Sequence, residues 1–162
     1  MIRFSFEVPK AGSPWRDTWD RAFQVNPAAI SEMDLCYKYF GVSAELVVDE
    51  VKVISSEGHV TLVDLALSLC HALSRISSGE DTAIGFTEDD EVIRLRRKAD
   101  QVEITSSKHQ WQVSVEQEEL VGAFDDFLRE AHTRLTENVP GLADNPVIQR
   151  FSPEWMDSMP RE

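Results

Sequence analysis

The amino-acid sequence predicts an α+β fold with a mostly antiparallel sheet, two long amphipathic helices on one face of that sheet and a short N-terminal helix. Apolar residues twice recur every three and four positions, which is the period of one helix face. The strand-like segments between these stripes follow one another without alternating helices, which disfavours a doubly wound parallel sheet. The stripes are Leu62, Leu65, Leu69, Leu73 and Ile76, then Leu120, Phe124, Phe127, Leu128, Ala131 and Leu135.

The chain opens with a predicted strand and a short helix. Apolar and polar residues alternate over residues 2–8, as in a half-buried strand. Ser13 followed by Pro14 predicts a helix start, because serine caps the free amides and proline suits the first turn. Trp15 and Trp19 then lie on one face of that helix.

Two further segments of the N-terminal half are predicted to be strands. Residues 35–40 are rich in aromatic side chains, which favour strands. Residues 44–54 predict either a strand pair or one long bent strand, with the break at Asp49 and Glu50. The first long helix follows, and Thr61 with Asp64 resembles a capping box at its start.

The C-terminal half predicts a hairpin, a further strand and the second long helix. Residues 92–97 and 101–106 form the hairpin, in which Arg96 lies opposite Glu103. Residues 111–115 alternate as the next strand. The second long helix then runs to about residue 137, and Ser114 with Gln117 is its predicted cap.

The domain organisation predicted from composition is one domain followed by a tail. We assign residues 1–142 to a single α+β domain and residues 143–162 to a C-terminal tail. The tail is polar and interrupted by prolines, apart from Phe151, Trp155, Met156 and Met159. Two interpretations stay open for it: partial packing against the domain, or a docking segment for another molecule.

Net charge is the unusual feature of the composition. The chain has 29 acidic and 16 basic residues, for a net charge of −13. Such a charge disfavours nucleic acid and anionic membranes as partners, because phosphate binding draws its affinity from lysine and arginine. It is compatible with simple solubility, with mimicry of nucleic acid, and with attraction to a basic protein surface.

Several observations predict a cytoplasmic location. The first ten residues have neither the basic leader nor the apolar run of a secretory signal. No segment approaches the roughly 18 apolar residues that a membrane-spanning helix requires. Cys36 and Cys70 are isolated, in no metal-binding spacing, and are expected to be reduced thiols.

No motif in the sequence predicts catalysis, a cofactor or a metal. The four histidines lie in separate segments, and the acidic run 88–91 lacks the alternation and the glycine of a calcium loop. The sequence therefore predicts a protein that is not an enzyme, with no cofactor and no metal site. The histidines are His59, His71, His109 and His132.

The strongest candidate for a binding surface is the second long helix. Acidic residues crowd its start and outer face, a pattern that also suits the helix dipole or a solvated face. The predicted partner-binding residues are Glu118, Glu119, Asp125 and Asp126, together with Phe151 and Trp155 in the tail. The expected partner is another protein with a basic surface.

Small size, strong acidity and a build of strands followed by a helix resemble bacterial immunity proteins that neutralise a toxin. This resemblance implies a non-enzymatic protein that binds another protein. The chain is also similar to the small acidic α+β dimers that act as accessory chaperones for secreted proteins, and this is the alternative function. An enzyme whose site has no recognisable motif is the third. The identity of the partner and the oligomeric state stay open.

Overall fold

The computed structural model describes residues 1–158, and within them the chain forms eight strands and five α-helices joined by short 3₁₀ turns. The strands are β1 (Ile2–Glu7), β2 (Gly41–Val48), β3 (Val51–Ile54), β4 (Val60–Thr61), β5 (Thr82–Ile84), β6 (Ile93–Lys98), β7 (Gln101–Ser106) and β8 (Gln112–Glu116). The helices are α1 (Asp17–Asp20), α2 (Glu32–Tyr37), α3 (Leu62–Ser77), α4 (Gln117–Asn138) and α5 (Pro153–Ser158).

The α+β class is confirmed, and the strands form two antiparallel sheets. The first sheet has the order β1-β2-β3, and β4 pairs with the opposite end of β2. The second sheet has the order β5-β6-β7-β8, so each strand pairs with its neighbour in sequence. Consecutive antiparallel pairing requires only short turns, which the closely spaced strands of this sequence provide.

Two tight turns confirm the predicted hairpins. Asp49 and Glu50 join β2 to β3 with positive φ angles of 47° and 73°, as expected of a turn whose twist matches the strands. Ala99, with φ of 58°, and Asp100 join β6 to β7. The register of that second hairpin places Arg96 opposite Glu103, as predicted.

The two predicted apolar stripes form the centre of the core. Helices α3 and α4 pack against each other, and all eleven stripe residues named from the sequence are buried. Helix α3 ends at Ser77: Gly79 has φ of +87°, and the Glu80 N–H donates to the Arg75 carbonyl. This is the arrangement in which glycine supplies a left-handed residue after a helix.

The prediction of a strand at residues 35–40 was wrong, because residues 32–37 form helix α2. The Ser31 side chain accepts a hydrogen bond from the Asp34 N–H at 3.2 Å and so caps the helix. Leu35 and Cys36 face inward and are buried. A local cap and one buried face therefore outweighed the strand preference of the aromatic residues.

Neither predicted helix cap forms. Thr61 has no capping hydrogen bond to its own helix: its N–H donates to Glu88 Oε1 at 2.8 Å and its hydroxyl donates to the Cys36 carbonyl at 2.7 Å. At the start of α4 the Gln117 N–H donates to the Asp100 carbonyl at 2.9 Å, and no side chain caps the helix. Tertiary partners satisfy these amides instead of local ones.

The short N-terminal helix is confirmed as α1 flanked by 3₁₀ turns. Ser13 accepts a hydrogen bond from the Trp15 N–H, as expected of a cap. Trp19 is buried, and its indole N–H donates to the Gly41 carbonyl at 2.9 Å. Trp15 is partly exposed, so the two tryptophans share a face without sharing the same burial.

Residues 143–158 pack closely against the rest of the chain. Asn145 is fully buried, and its amide donates to the carbonyls of Pro27 and Ile30 at 2.9 and 3.0 Å. Phe151 and Met156 are also fully buried. This segment therefore completes the core over part of α3. Met159, which the sequence placed in the tail, lies outside the described residues.

Candidate functional site

One face of α4 carries a row of exposed carboxylates. Residues four and seven apart lie on nearly the same side of a helix, so Glu119, Asp126, Glu130 and Glu137 form a continuous row. Glu118 lies about 100° around the helix from Glu119 and widens the row at its start. We call these five exposed residues the acidic stripe. At a rise of about 1.5 Å per residue the stripe spans roughly 28 Å of helix.

Little positive charge balances the acidic stripe. Glu119 lies 3.9 Å from the amino group of Met1, and Glu130 lies 3.7 Å from Arg134. Glu118 and Asp126 have no ion pair with any residue between 1 and 158. Glu137 also has none in this range, so three members of the stripe present uncompensated charge to an incoming molecule.

Asp125, although predicted as a binding residue, lies on a different side of α4 from Asp126. Its side chain is 15% exposed and accepts a hydrogen bond from Arg129 Nε at 3.0 Å. Arg129 also binds Asp157 of α5, and the two carboxylates raise the pKa of its guanidinium. Asp125 therefore contributes to the junction between α4 and α5, which is a structural role.

The structure separates the two aromatic candidates of the tail. Phe151 is fully buried and makes an edge contact with His132, with ring centroids 6.1 Å apart. Trp155 is 52% exposed on α5. It borders a groove of about 540 Å³ together with His132 and Gln149. Trp155 is thus the member of this pair that an approaching partner reaches.

A cleft between the two sheets brings together residues that the sequence left scattered. His59, from the β3–β4 turn, and His109, from the β7–β8 turn, both line a cavity of about 340 Å³. His59 stacks on Trp15 with centroids 4.6 Å apart, and His109 Nε2 lies 3.7 Å from Glu91. No sequence motif could have revealed this convergence, because it depends on how the two sheets meet.

The acidic run 88–91 at this cleft is partly neutralised. Lys108 contacts Asp89 and also lies 2.7 Å from Asp90. Its hydrogen bond to Asp89 lowers the pKa of that carboxyl to about 2. Among residues 1–158, no group of three or more histidine, cysteine, aspartate or glutamate side chains could hold a metal ion.

Burial keeps both cysteines in the thiol form. Burial, with the negative charge of Asp64, raises the pKa of Cys36 to about 11. Burial raises the pKa of Cys70 to about 12. Because the thiolate is the reactive species, neither side chain is set up as a nucleophile near neutral pH.

Asp64 and Glu88 form an acidic pair at the start of α3. Burial, together with the Glu88 carboxylate, raises the pKa of Asp64 to about 6. A hydrogen bond from the Thr87 N–H to Asp64 opposes this shift. Asp64 is partly buried and accepts a hydrogen bond from the Cys36 side chain, whereas Glu88 is exposed, so the polar contact between α2, α3 and the β5–β6 loop lies near the surface.

Arg96 of β6 is locally compensated by Glu103, as predicted. Glu103 is only 6% exposed and lies 4.0 Å from Arg96 and 2.5 Å from Lys98. Gln112 adds a hydrogen bond to the same carboxylate at 2.9 Å. Arg94, exposed on the same strand, has no ion pair within residues 1–158, so Glu103 compensates only part of the positive charge of β6.

A second groove lies between the start of α4 and the β6–β7 turn. It has a volume of about 510 Å³ and is lined in part by Arg97, Gln117 and Glu118. Arg97 Nε and Gln117 Oε1 are buried without a hydrogen-bond partner within residues 1–158. The groove thus mixes a guanidinium with carboxylates and the Ser77 side of α3.

No protein-family model, curated protein or solved structure matches this chain. In the part of the chain that the structure describes, no helix is long and apolar enough to cross a membrane. The arrangement described above offers a charged, solvent-facing helix flanked by an exposed tryptophan.

Proposed function

We propose that this chain is a non-enzymatic, cytoplasmic binding protein that uses the acidic stripe to engage a basic surface of another protein. The observation that carries the proposal is the pair Glu118 and Asp126, which face solvent on one helix without an ion pair in residues 1–158. Toxin immunity is the form of this function that the bacterial resemblance implies. An accessory chaperone for a secreted protein is the alternative.

Electrostatics gives the stripe a definite role in this proposal. Complementary charge accelerates the encounter between two proteins. This acceleration decreases as ionic strength rises, because salt at 0.1 M screens charges that are more than about 10 Å apart. A net charge of −13 adds a long-range attraction for any basic partner. The exposed Trp155 supplies the aromatic contact area that charged rims lack.

The experiment compares two double charge reversals of equal size. The partner is first captured from a lysate of the source organism on the immobilised full chain and identified. Its association rate is then measured against the wild type, against Glu118→Lys/Asp126→Lys, and against Glu50→Lys/Asp144→Lys. The control pair is also exposed and lies outside α4. Both variants raise the net charge by the same amount.

We expect the stripe variant to associate at least about tenfold more slowly at low salt and to lose most of the salt dependence of the wild type. The control variant should slow association by less than half as much, with both changes measured as the logarithm of the association rate. Equal slowing in both variants would mean that net charge alone steers the partner. Unchanged association of the stripe variant would place the binding surface elsewhere, with the surface around Trp155 as the next candidate.

A further inference from the structure

Strand β1 leaves one edge of the first sheet without a partner. In residues 1–158, β1 pairs with β2 and with no other strand. Its six residues pair in an unbroken register, without a bulge and without proline. An edge of this kind is a template for another strand, because it presents a regular row of unpaired amides and carbonyls.

The register shows which backbone groups point to the free edge. The Asp49 N–H donates to the Met1 carbonyl at 2.9 Å, so odd-numbered residues of this segment bond to β2. Even-numbered residues therefore point away from β2. The N–H and C=O groups of Ile2, Phe4 and Phe6 face the open edge, and they make no hydrogen bond with any residue in 1–158.

We propose that the free edge of β1 pairs antiparallel with β1 of a second copy of this chain, about a two-fold axis at Ser5. This register places Phe4 of each copy opposite Phe6 of the other, so the outward-facing backbone groups meet as hydrogen-bonded pairs. The two sheets then join into one, with β1 of each copy at its centre.

Charge complementarity selects this register and this partner. With the axis at Ser5, Arg3 of each copy lies opposite Glu7 of the other on the solvent face. A shift of the axis to Phe4 or Phe6, the nearest registers that keep even residues paired, puts Ser5 opposite a charged residue and loses both ion pairs. Opposite charges directly across strands stabilise pairing, and like charges weaken it.

The side chains at the edge are in place for such a contact. Arg3 is 64% exposed and lies 2.9 Å from Glu45, so its guanidinium is already held on the solvent face. Glu7 has no ion pair within residues 1–158. On the other face, Phe4 stacks on Phe127 with centroids 4.0 Å apart and is only partly buried. Pairing would cover its remaining exposed area.

Salt distinguishes this self-association from binding to a basic protein. Each copy carries a net charge of −13, so two copies repel each other over long distances. Added salt screens this repulsion, and we expect the dimer to strengthen from about 0.05 M to about 0.5 M NaCl. The proposed binding to a basic partner has the opposite salt dependence. The self-association does not depend on that binding, and either can fail alone.

The test uses sedimentation equilibrium on the full chain with charge-exchanged variants. Glu7→Arg puts arginine opposite Arg3 in the homodimer, and Arg3→Glu puts glutamate opposite Glu7. Each variant alone should dimerise at least about tenfold more weakly than the wild type. An equimolar mixture should recover dimers near wild-type strength, because both cross-strand pairs become opposite in charge again. Asp144→Arg, an exposed change outside β1 and outside the cavity that Met1, Ile2 and Arg3 line, should leave dimerisation unchanged.

A second readout does not depend on charge. Amide hydrogen exchange of Phe4 and Phe6 should slow as the protein concentration rises through the dimer range, while Glu50 should show no such change. A wild-type chain that stays monomeric at protein concentrations up to about 100 μM would overturn the proposal. So would dimerisation without recovery in the mixture, or protection of these amides only by a peptide from another protein.

Discussion

Helices α3 and α4 both carry a stripe of apolar residues at helical spacing, yet they occupy different positions in the molecule. Helix α3 contacts α2, α4, β5 and the turn at residues 148–151, so it is surrounded on several sides. Helix α4 packs on α3 and on strands of both sheets but keeps one whole face in solvent. That open face carries the acidic stripe.

This contrast indicates that the two helices differ in how well they tolerate substitution. A helix enclosed by other elements can be changed only at the expense of packing, since interiors are close-packed. A helix with one open face can vary there with little effect on stability. A functional surface is therefore expected on α4, whereas substitutions in α3 are expected to lower stability.

The largest effect should come from shortening a central residue of α3. Leu69 is fully buried, so Leu69→Ala should lower the free energy of unfolding by about 2–5 kcal/mol. Urea unfolding followed by circular dichroism measures this loss. A loss below about 1 kcal/mol, the level of a surface change, would show that α3 is peripheral and would remove the contrast with α4.

The segment that covers α3 should be nearly as important. Asn145→Ala would leave the buried carbonyls of Pro27 and Ile30 without their donor, at a cost of about 1–3 kcal/mol. The exposed neighbour Asp144→Ala is the control and should change stability by less than about 0.5 kcal/mol. Equal effects of the two substitutions would mean that residues 143–158 behave as a loosely attached tail.

A pH effect should mark the start of α3. The pKa of Asp64 is raised to about 6 in the folded chain, so between pH 4 and pH 6 the native state holds a proton that the unfolded chain releases. The resulting stabilisation is complete below pH 4 and is lost as pH rises through 6. Asp64→Asn removes it, because the amide does not titrate.

The measurement is the difference in unfolding free energy between wild type and Asp64→Asn at pH 4.5 and pH 7.5. We expect the wild type to lose on the order of 1 kcal/mol relative to the variant over this interval. Other carboxylates titrate alike in both proteins and cancel in the difference. A difference that is constant with pH would show that burial and Glu88 do not act on Asp64 as described.

Local patterns predicted much of the fold, and long-range partners account for what was missed. The stripes of α3 and α4 and the turn at Ala99 and Asp100 were predictable because each depends on neighbours in sequence. The caps were not, since the Thr61 N–H bonds to Glu88, which lies 27 residues away. Helix α2 was not predicted, because the aromatic residues favour a strand, whereas the Ser31 cap that starts the helix lies just before them.

The candidate site shows the same division. Helical spacing predicts that Glu119, Asp126 and Glu130 share one face, and it places Asp125 four residues before Arg129. It could not reveal that Arg129 also binds Asp157, which is 28 residues further on and ties Asp125 to the junction with α5. The cleft that joins His59 to His109 has no sequence signature at all, since the two turns come from different sheets.

The smallest effect should come from the acidic stripe itself. Glu118→Lys/Asp126→Lys should change the free energy of unfolding by no more than about 1 kcal/mol, because Asp126 is an exposed charge without a partner and Glu118 loses only its interaction with the dipole at the start of α4. The matched comparison is Asp125→Lys, one residue away on the same helix. It removes the hydrogen bond from Arg129 and places a like charge beside it, so it should be clearly less stable than the stripe variant. Urea unfolding at equal salt ranks the three proteins. If the stripe variant is the less stable one, the open face of α4 is held by contacts within this chain, and it is not a surface reserved for a partner.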